Sequence, residues 1–217
     1  MGYHPTSGVA SLSNLVLYVN AGAGSDANDG WSAGNALKTI GAALGRVLAG
    51  GRIEIAAGSY TNGTGAESFP LVVNTPHVTL NGAGPDATLI DALWAARVMT
   101  AINPGRLRLE NLRIANGYLL KTSGGGLYLV GGDVRLTNCV FSNNRVSNNS
   151  SAPPSYGAGI YASGSRLALW DCLFLTNRVE QNGYCHDSLG GAVYASGSVL
   201  DVRRCRFIQN YVSARHY

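Results

Sequence analysis

The sequence predicts an all-β chain wound as a parallel β-helix. Its pattern from residue 134 onward returns every 33 residues. Apolar pairs (Val134 and Leu136, Leu167 and Leu169, Leu200 and Val202) are each followed at fixed offsets by a cysteine (Cys139, Cys172, Cys205), a phenylalanine (Phe141, Phe174, Phe207) and an asparagine (Asn144, Asn177, Asn210). A second block keeps step with the first, G-G-L-Y-L-V-G-G at 125–132, A-G-I-Y-A-S-G-S at 158–165 and G-A-V-Y-A-S-G-S at 191–198. A repeat of this length with strand-like content marks a solenoid.

Each repeat divides into three short strands. Residues 166–175 alternate apolar side chains at Leu167, Leu169, Cys172 and Phe174 across a corner at Trp170 and Asp171, the period-two signature of strands with one buried face. Asn177 follows at a turn, then a variable polar loop, then a third strand at 192–196 between Gly190-Gly191 and Ser196-Gly197-Ser198. Traced backward, Leu107 and Leu109, Val78 and Leu80, and Ile53 and Ile55 continue the pattern. Five complete coils are expected at 52–76, 77–105, 106–132, 133–165 and 166–198, with a sixth that lacks its third strand. Neighbouring strands lie about 4.8 Å apart, so the stack is on the order of 25 Å tall.

Residues 1–51 differ. A strand at 15–19 leads through a Gly/Asp/Asn loop into a helical stretch at 35–48 with apolar residues Leu37, Ile40, Ala43, Leu44 and Leu48. A solenoid needs its terminal core covered, and this segment is expected to be the N-terminal cap of the β-helix at 52–217. At the other end, Leu200, Val202, Cys205 and Phe207 in the incomplete coil are expected to stack against another subunit or further chain.

Composition separates this chain from ordinary cytosolic domains: 13% charged residues, 29 glycines and two methionines in 217 residues. The most apolar short run, 15–19, is far below the about 20 residues of a spanning helix, and residues 1–14 lack the basic and apolar regions of a signal peptide. Charge is uneven, with 13 Lys/Arg against 6 Asp/Glu from residue 97 onward and 3 against 6 before it. The basic half is either a solvated surface or a surface for acidic polysaccharide, lipid headgroups or nucleic acid. Nucleic acid is disfavoured by the absence of any recognised binding module.

Cys139, Cys172 and Cys205 fall at one corner of successive coils, where a spacing of about 4.8 Å exceeds the separation a disulfide wants; stacked free thiols are expected. Cys185, His186 and Asp187 resemble a catalytic trio in composition, but adjacent loop residues do not readily converge on one reacting atom. Asn144, Asn177 and Asn210 sit where the chain bends, suited to left-handed backbone and to amide pairing up the stack. Asp26, Asn28 and Asp29 have the oxygen density of a weak calcium site but lack the EF-hand spacing, so a turn and helix-entry role competes with metal. No other cofactor is expected.

Two outward features mark partner surfaces. With Cys172 and Phe174 inward, Val140, Leu173, Leu175 and Ile208 face outward beside Trp170 as an exposed apolar strip. With Leu127, Ile160 and Val193 inward, Tyr128, Tyr161 and Tyr194 form an outward ladder that either braces neighbouring strands or meets a sugar or protein.

The string Y-V-N-A-G-A-G-S-D-A-N-D-G-W-S, followed by A-L-K-T-I-G-A-A-L, I-E-I-A-A-G-S-Y-T and V-T-L-N-G-A-G-P-D-A-T-L-I-D-A, resembles the opening of secreted right-handed β-helix proteins of the pectin-lyase-like superfamily. The later G-G-A-V-Y and F-x-x-N blocks resemble repeats of polymorphic outer-membrane proteins and autotransporter passengers. The resemblance covers roughly residues 16–210 and implies an extracellular or cell-surface location. It specifies the fold rather than an activity, because this fold hosts enzymes and non-catalytic proteins alike. The paired Asp of polygalacturonases and the arginine motif of lyases are absent, and the acidic residues of the coils look scattered relative to the repeat. The expectation is a non-catalytic structural, adhesive or assembly-forming module, with protein subunits as partners in a homo-oligomer or filament. The alternatives are a carbohydrate-active enzyme, or a fragment of one, and a tailspike-like receptor binder.

Overall fold

Short alternating segments bury one edge of the backbone ribbon, and residues tolerant of left-handed conformations turn the chain every three to five residues. In this protein the two together wind a solenoid. The computed structural model describes residues 15–63, 67–149, 154–182 and 188–215. Strand β1 (Val16–Val19) and helix α1 (Ile40–Leu44) precede the coils. The first coil holds β2 (Arg52–Ile55), β3 (Gly58–Thr61) and β4 (Leu71–Val73); the second holds β5 (Thr79–Gly82), β6 (Thr88–Asp91) and β7 (Met99–Ile102). The third adds a strand: β8 (Arg106–Glu110), β9 (Arg113–Ala115), β10 (Tyr118–Leu120) and β11 (Leu127–Val130). The fourth coil repeats this with β12 (Asp133–Thr137), β13 (Val140–Ser142), β14 (Arg145–Asn149) and β15 (Ile160–Ser163). In the fifth are β16 (Arg166–Trp170), β17 (Leu173–Leu175), β18 (Arg178–Asn182) and β19 (Val193–Ser196), and in the sixth β20 (Val199–Arg203), β21 (Arg206–Ile208) and β22 (Tyr211–Arg215).

Equivalent strands pair in parallel into four sheets. The first runs β1-β2-β5-β8-β12-β16-β20, the second β3-β6-β9-β13-β17-β21 and the third β4-β7-β11-β15-β19. These are the three faces the repeat predicts. A fourth sheet, β10-β14-β18-β22, occupies what the sequence suggests is a polar loop, so the later coils have four strands rather than three. Its inward residues Val146 and Val179 form a small separate core with Ala158. The alternation is masked because Ser147, Asn148 and Gln181, although polar, are also buried.

Two further expectations shift. Ile53 pairs with Leu80 rather than Val78, a two-residue change of register that keeps the same face inward. The helix is confined to 40–44, preceded by a 3-10 turn at Ala33–Asn35, and Leu48 is 45% exposed. Glycines on both sides of this segment disfavour a longer helix. Its start is held instead by capping: Thr39 accepts from Ala42 N at 3.0 Å, and the buried Glu67 carboxylate accepts from the amides of Ile40 and Gly41. Burial pushes the Glu67 carboxyl above its usual range. β1 is not a separate cap strand but the first rung of the first sheet, and α1 closes the core with Ile40, Ala43 and Leu44.

Left-handed backbone marks two corners. Asn111, Asn138, Asp171 and Arg204 have φ of 50–57° between the first and second sheets, and Asn116, Asn143, Thr176 and Gln209 have φ of 52–55° after the second. The expectation for Asn144, Asn177 and Asn210 is corrected by one residue: the left-handed position precedes each of them. They turn inward instead, which makes them a hydrogen-bonding core column.

Candidate functional site

The outer face of the first sheet carries two columns set by strand register. One is Tyr18, Glu54, Asn81, Glu110, Thr137, Trp170 and Arg203; its neighbour includes Arg52, Thr79, Arg108, Arg135, Ala168 and Asp201. Sequence reasoning missed that Glu54 and Glu110 share a column. They fall in coils of unequal length, so they have no common offset in the 33-residue pattern. Arg52 binds both carboxylates, Glu54 through Nε and Glu110 through Nη1 at 3.2 Å. Partial burial disfavours the charge of Arg52, yet the hydrogen bonds and attraction of Glu54 and Glu110 raise its pKa above the ordinary value. Asn81 donates to Glu54 Oε2 at 2.6 Å, Asn111 to Asn81 at 2.8 Å and Asn138 to Asn111 at 2.8 Å, a relay climbing three coils. Beside it, Tyr18, Asn20, Ala33, Ala36, Glu54 and Asn81 help line a cleft of about 260 Å³ between the cap loop and the sheet.

Paired carboxylates that cleave glycosides stand about 5–9.5 Å apart with the scissile bond between them. Here a guanidinium fills that role's space. The other described carboxylates of the coils are mostly tied down as well. Asp86 pairs with Arg113 at 2.5 Å, Asp171 with Arg204 at 2.6 and 2.8 Å, and Asp201 with Arg203 at 2.9 Å. Asp91 accepts from Leu93 N and Asn116 Nδ2. Glu180 binds both Arg145 and Arg178, the latter at 2.9 Å.

The candidate residues named from sequence fall into separate places. Tyr128, Tyr161 and Tyr194 stack with centroids 5.0 and 5.8 Å apart. Arg97 covers the outer face of Tyr128 at 4.6 Å, and Tyr156 stacks on Tyr194 at 4.3 Å. Each ring of that ladder therefore stacks on a partner from within the protein. Trp170 is likewise clasped by Arg135 at 4.0 Å and Arg203 at 5.0 Å, and its indole N–H donates to Asp201 at 3.3 Å.

The apolar strip is less exposed than its alternation suggests. Val140 is only 7% exposed, and Leu173, Leu175 and Ile208 are half-buried. Val140 lies between Arg113 and Leu173 in the ladder, and Leu173 between Val140 and Arg206, so neighbouring side chains one coil away shield them. Val140 is thus a poor contact residue, a correction to the expected strip.

Asp26, the first of the calcium candidates, accepts from Lys38 N, Thr39 N and Thr39 Oγ1, each at 2.9 Å. Asn28 donates to Ala36 O, Asp29 accepts from Trp31 N, and Arg46 donates to the carbonyls of Asp26 and Asn28. The three residues brace the cap loop, with a guanidinium as the cation against its carbonyls. Cys139, Cys172 and Cys205 are free thiols stacked at the first corner, and burial raises the pKa of Cys139. Cys185, His186 and Asp187 lie outside the described residues.

Residues 22–97, which run from the cap loop into the second coil, match a family profile described as a protein of unknown function (DUF1565). The fold is a parallel β-helix. Among solved structures, the chain is similar to the pectin methylesterase of Aspergillus niger at 10% identity and a TM-score of 0.36, over 98% of this chain and 89% of that one. No curated protein matches the chain. No helix among the described residues is long and apolar enough to cross a membrane.

Proposed function

We propose that the protein is a non-catalytic β-helix module of a secreted or surface-exposed protein, with a structural, adhesive or assembly-forming role. The observation that carries this is the fate of the outward carboxylates: Glu54 and Glu110, two coils apart in one column, are held by Arg52 rather than left to act across a gap.

A second reading rests on the same residues. Glu54 and Asn81 line the cleft, and with Arg52 and Glu110 they make a polar cluster that a carbohydrate-active enzyme could use. Incubating the purified protein with acidic and neutral polysaccharides, with products read by mass spectrometry, separates the two. The module is expected to leave every substrate intact. Product that disappears in both Glu54→Gln and Glu110→Gln variants would establish the enzyme instead.

A further inference from the structure

Most arginines of the solenoid are held by an acceptor within it. Arg113 pairs with Asp86, Arg145 and Arg178 share Glu180, Arg204 holds Asp171, and Arg97 donates to the carbonyls of Ser123 and Gly124. Among the described residues, no carboxylate or carbonyl takes the side chains of Arg106, Arg108, Arg135 or Arg166. These four stand together on β8, β12 and β16, adjacent strands of the first sheet in the third, fourth and fifth coils, with a further coil on either side of each strand. Arg206, alone on the second sheet, is a further arginine without an acceptor.

Strand register sets these charges against one another. The alternate residues Leu107, Leu109, Val134, Leu136, Leu167 and Leu169 are buried, so the arginines face outward. Arg108 is the ladder neighbour of Arg135, about 4.8 Å away along the backbone, and like charges placed directly opposite destabilise a sheet. Asp133 lies between Arg106 and Arg166 in the next column and forms an ion pair with neither. Arg135 is also fixed in place: its guanidinium lies 4.0 Å from the Trp170 ring, whose indole N–H is anchored on Asp201 at 3.3 Å.

The outward charges of β2, β8, β12 and β16 are Arg52, Arg106, Arg108, Arg135 and Arg166 against Glu54, Glu110 and Asp133, an excess of two positive charges. Arg52 is committed to both glutamates, and one coil on Asp201 and Arg203 cancel each other, so the excess gathers around Arg108 and Arg135. The chemistry of the missing partner follows from two properties. A carboxylate presents two oxygens in one plane and fills one guanidinium fork, whereas a tetrahedral oxyanion presents three and serves forks on two neighbouring rungs. A phosphate monoester, at about −1.5 to −2 near pH 7, also matches an excess of two, where a carboxylate or a sulfate ester supplies a single charge.

We propose that the outer face of the first sheet binds a phosphate monoester between Arg108 and Arg135, with Arg106 and Arg166 at its flanks. The inference goes beyond the non-catalytic role and does not depend on it, because binding is read here at equilibrium and turnover by product.

Isothermal titration at low ionic strength with glucose 6-phosphate, inorganic phosphate, glucose 6-sulfate and glucuronate tests it. Glucose 6-phosphate is expected to bind saturably and roughly tenfold more tightly than the sulfate and the carboxylate. Equal affinity for inorganic phosphate assigns the site to the phosphate group alone, and weaker affinity assigns it to a phosphorylated sugar. Arg108→Gln and Arg135→Gln are each expected to weaken binding roughly tenfold, Arg108→Lys severalfold because the charge stays and the fork is lost, and Arg206→Gln not at all. Arg108→Gln carries the test if Arg135→Gln, which also loses the Trp170 contact, fails to fold. Absence of saturable phosphate binding would overturn the proposal. So would affinity no higher than for the sulfate or the carboxylate, unchanged affinity in folded Arg108→Gln, or an equal loss in Arg206→Gln.

Discussion

Replacing Phe174 with alanine is expected to destabilise the protein by about 3–5 kcal/mol, the range for removing a buried ring and leaving a cavity. Phe174 is fully buried between Phe141 at 5.3 Å and Phe207 at 4.9 Å, nearly parallel to both. In a stack this regular, neighbouring coils cannot collapse into the void without breaking the strand pairing that holds them in register. Leu173→Ala, one position away and half-buried on the outer side, is expected to cost only about 1 kcal/mol. Phe207→Ala falls between them, because that ring is 49% exposed at the sixth coil. Urea-denaturation midpoints of the three variants check the order; equal losses at 173 and 174 would contradict the inward and outward assignment.

The second large effect is expected at Asn177. Its Nδ2 donates to Phe141 O and Asn210 Oδ1, both at 2.9 Å, and its Oδ1 accepts from Asn144 N at 3.1 Å and Asn144 Nδ2 at 2.9 Å. Alanine would orphan several buried groups at once, at about 1–3 kcal/mol each. A loss on the order of 4 kcal/mol follows for Asn177→Ala. Asn177→Asp is expected to be no better, since an ionised carboxylate would face the Phe141 carbonyl and the Asn210 amide oxygen in a site shut off from water. Thermal unfolding of both variants tests the column; a loss below about 1 kcal/mol for either would mean the amides are not what holds adjacent coils together.

How much of this could be read from sequence depended on where periodicity survives. The regular coils declare themselves because Phe141, Phe174 and Phe207 recur without insertions, and so do Asn144, Asn177 and Asn210. The fourth sheet was hidden because its buried positions include Ser147, Asn148 and Gln181, polar residues that give no apolar alternation. The Arg52, Glu54, Asn81 and Glu110 cluster was hidden for another reason: unequal loops shift the numbering while the strands stay in register. Exposure was the least legible property. Val140 alternates as an outward residue, yet long arginine stems and the adjacent leucine cover it. Trp94 carries no periodic signal at all, and its left-handed turn shows only in the structure.

The central claim is that the carboxylate cluster of the first sheet, held by Arg52, is part of the scaffold rather than an active site. Product analysis by mass spectrometry, after acidic and neutral polysaccharides are incubated with the protein and with its Glu54→Gln and Glu110→Gln variants, tests this most directly. Every polysaccharide is expected to remain intact with all three proteins. Product formed by the unsubstituted protein and lost in both variants would contradict the account and make the cleft beside Glu54 the functional site.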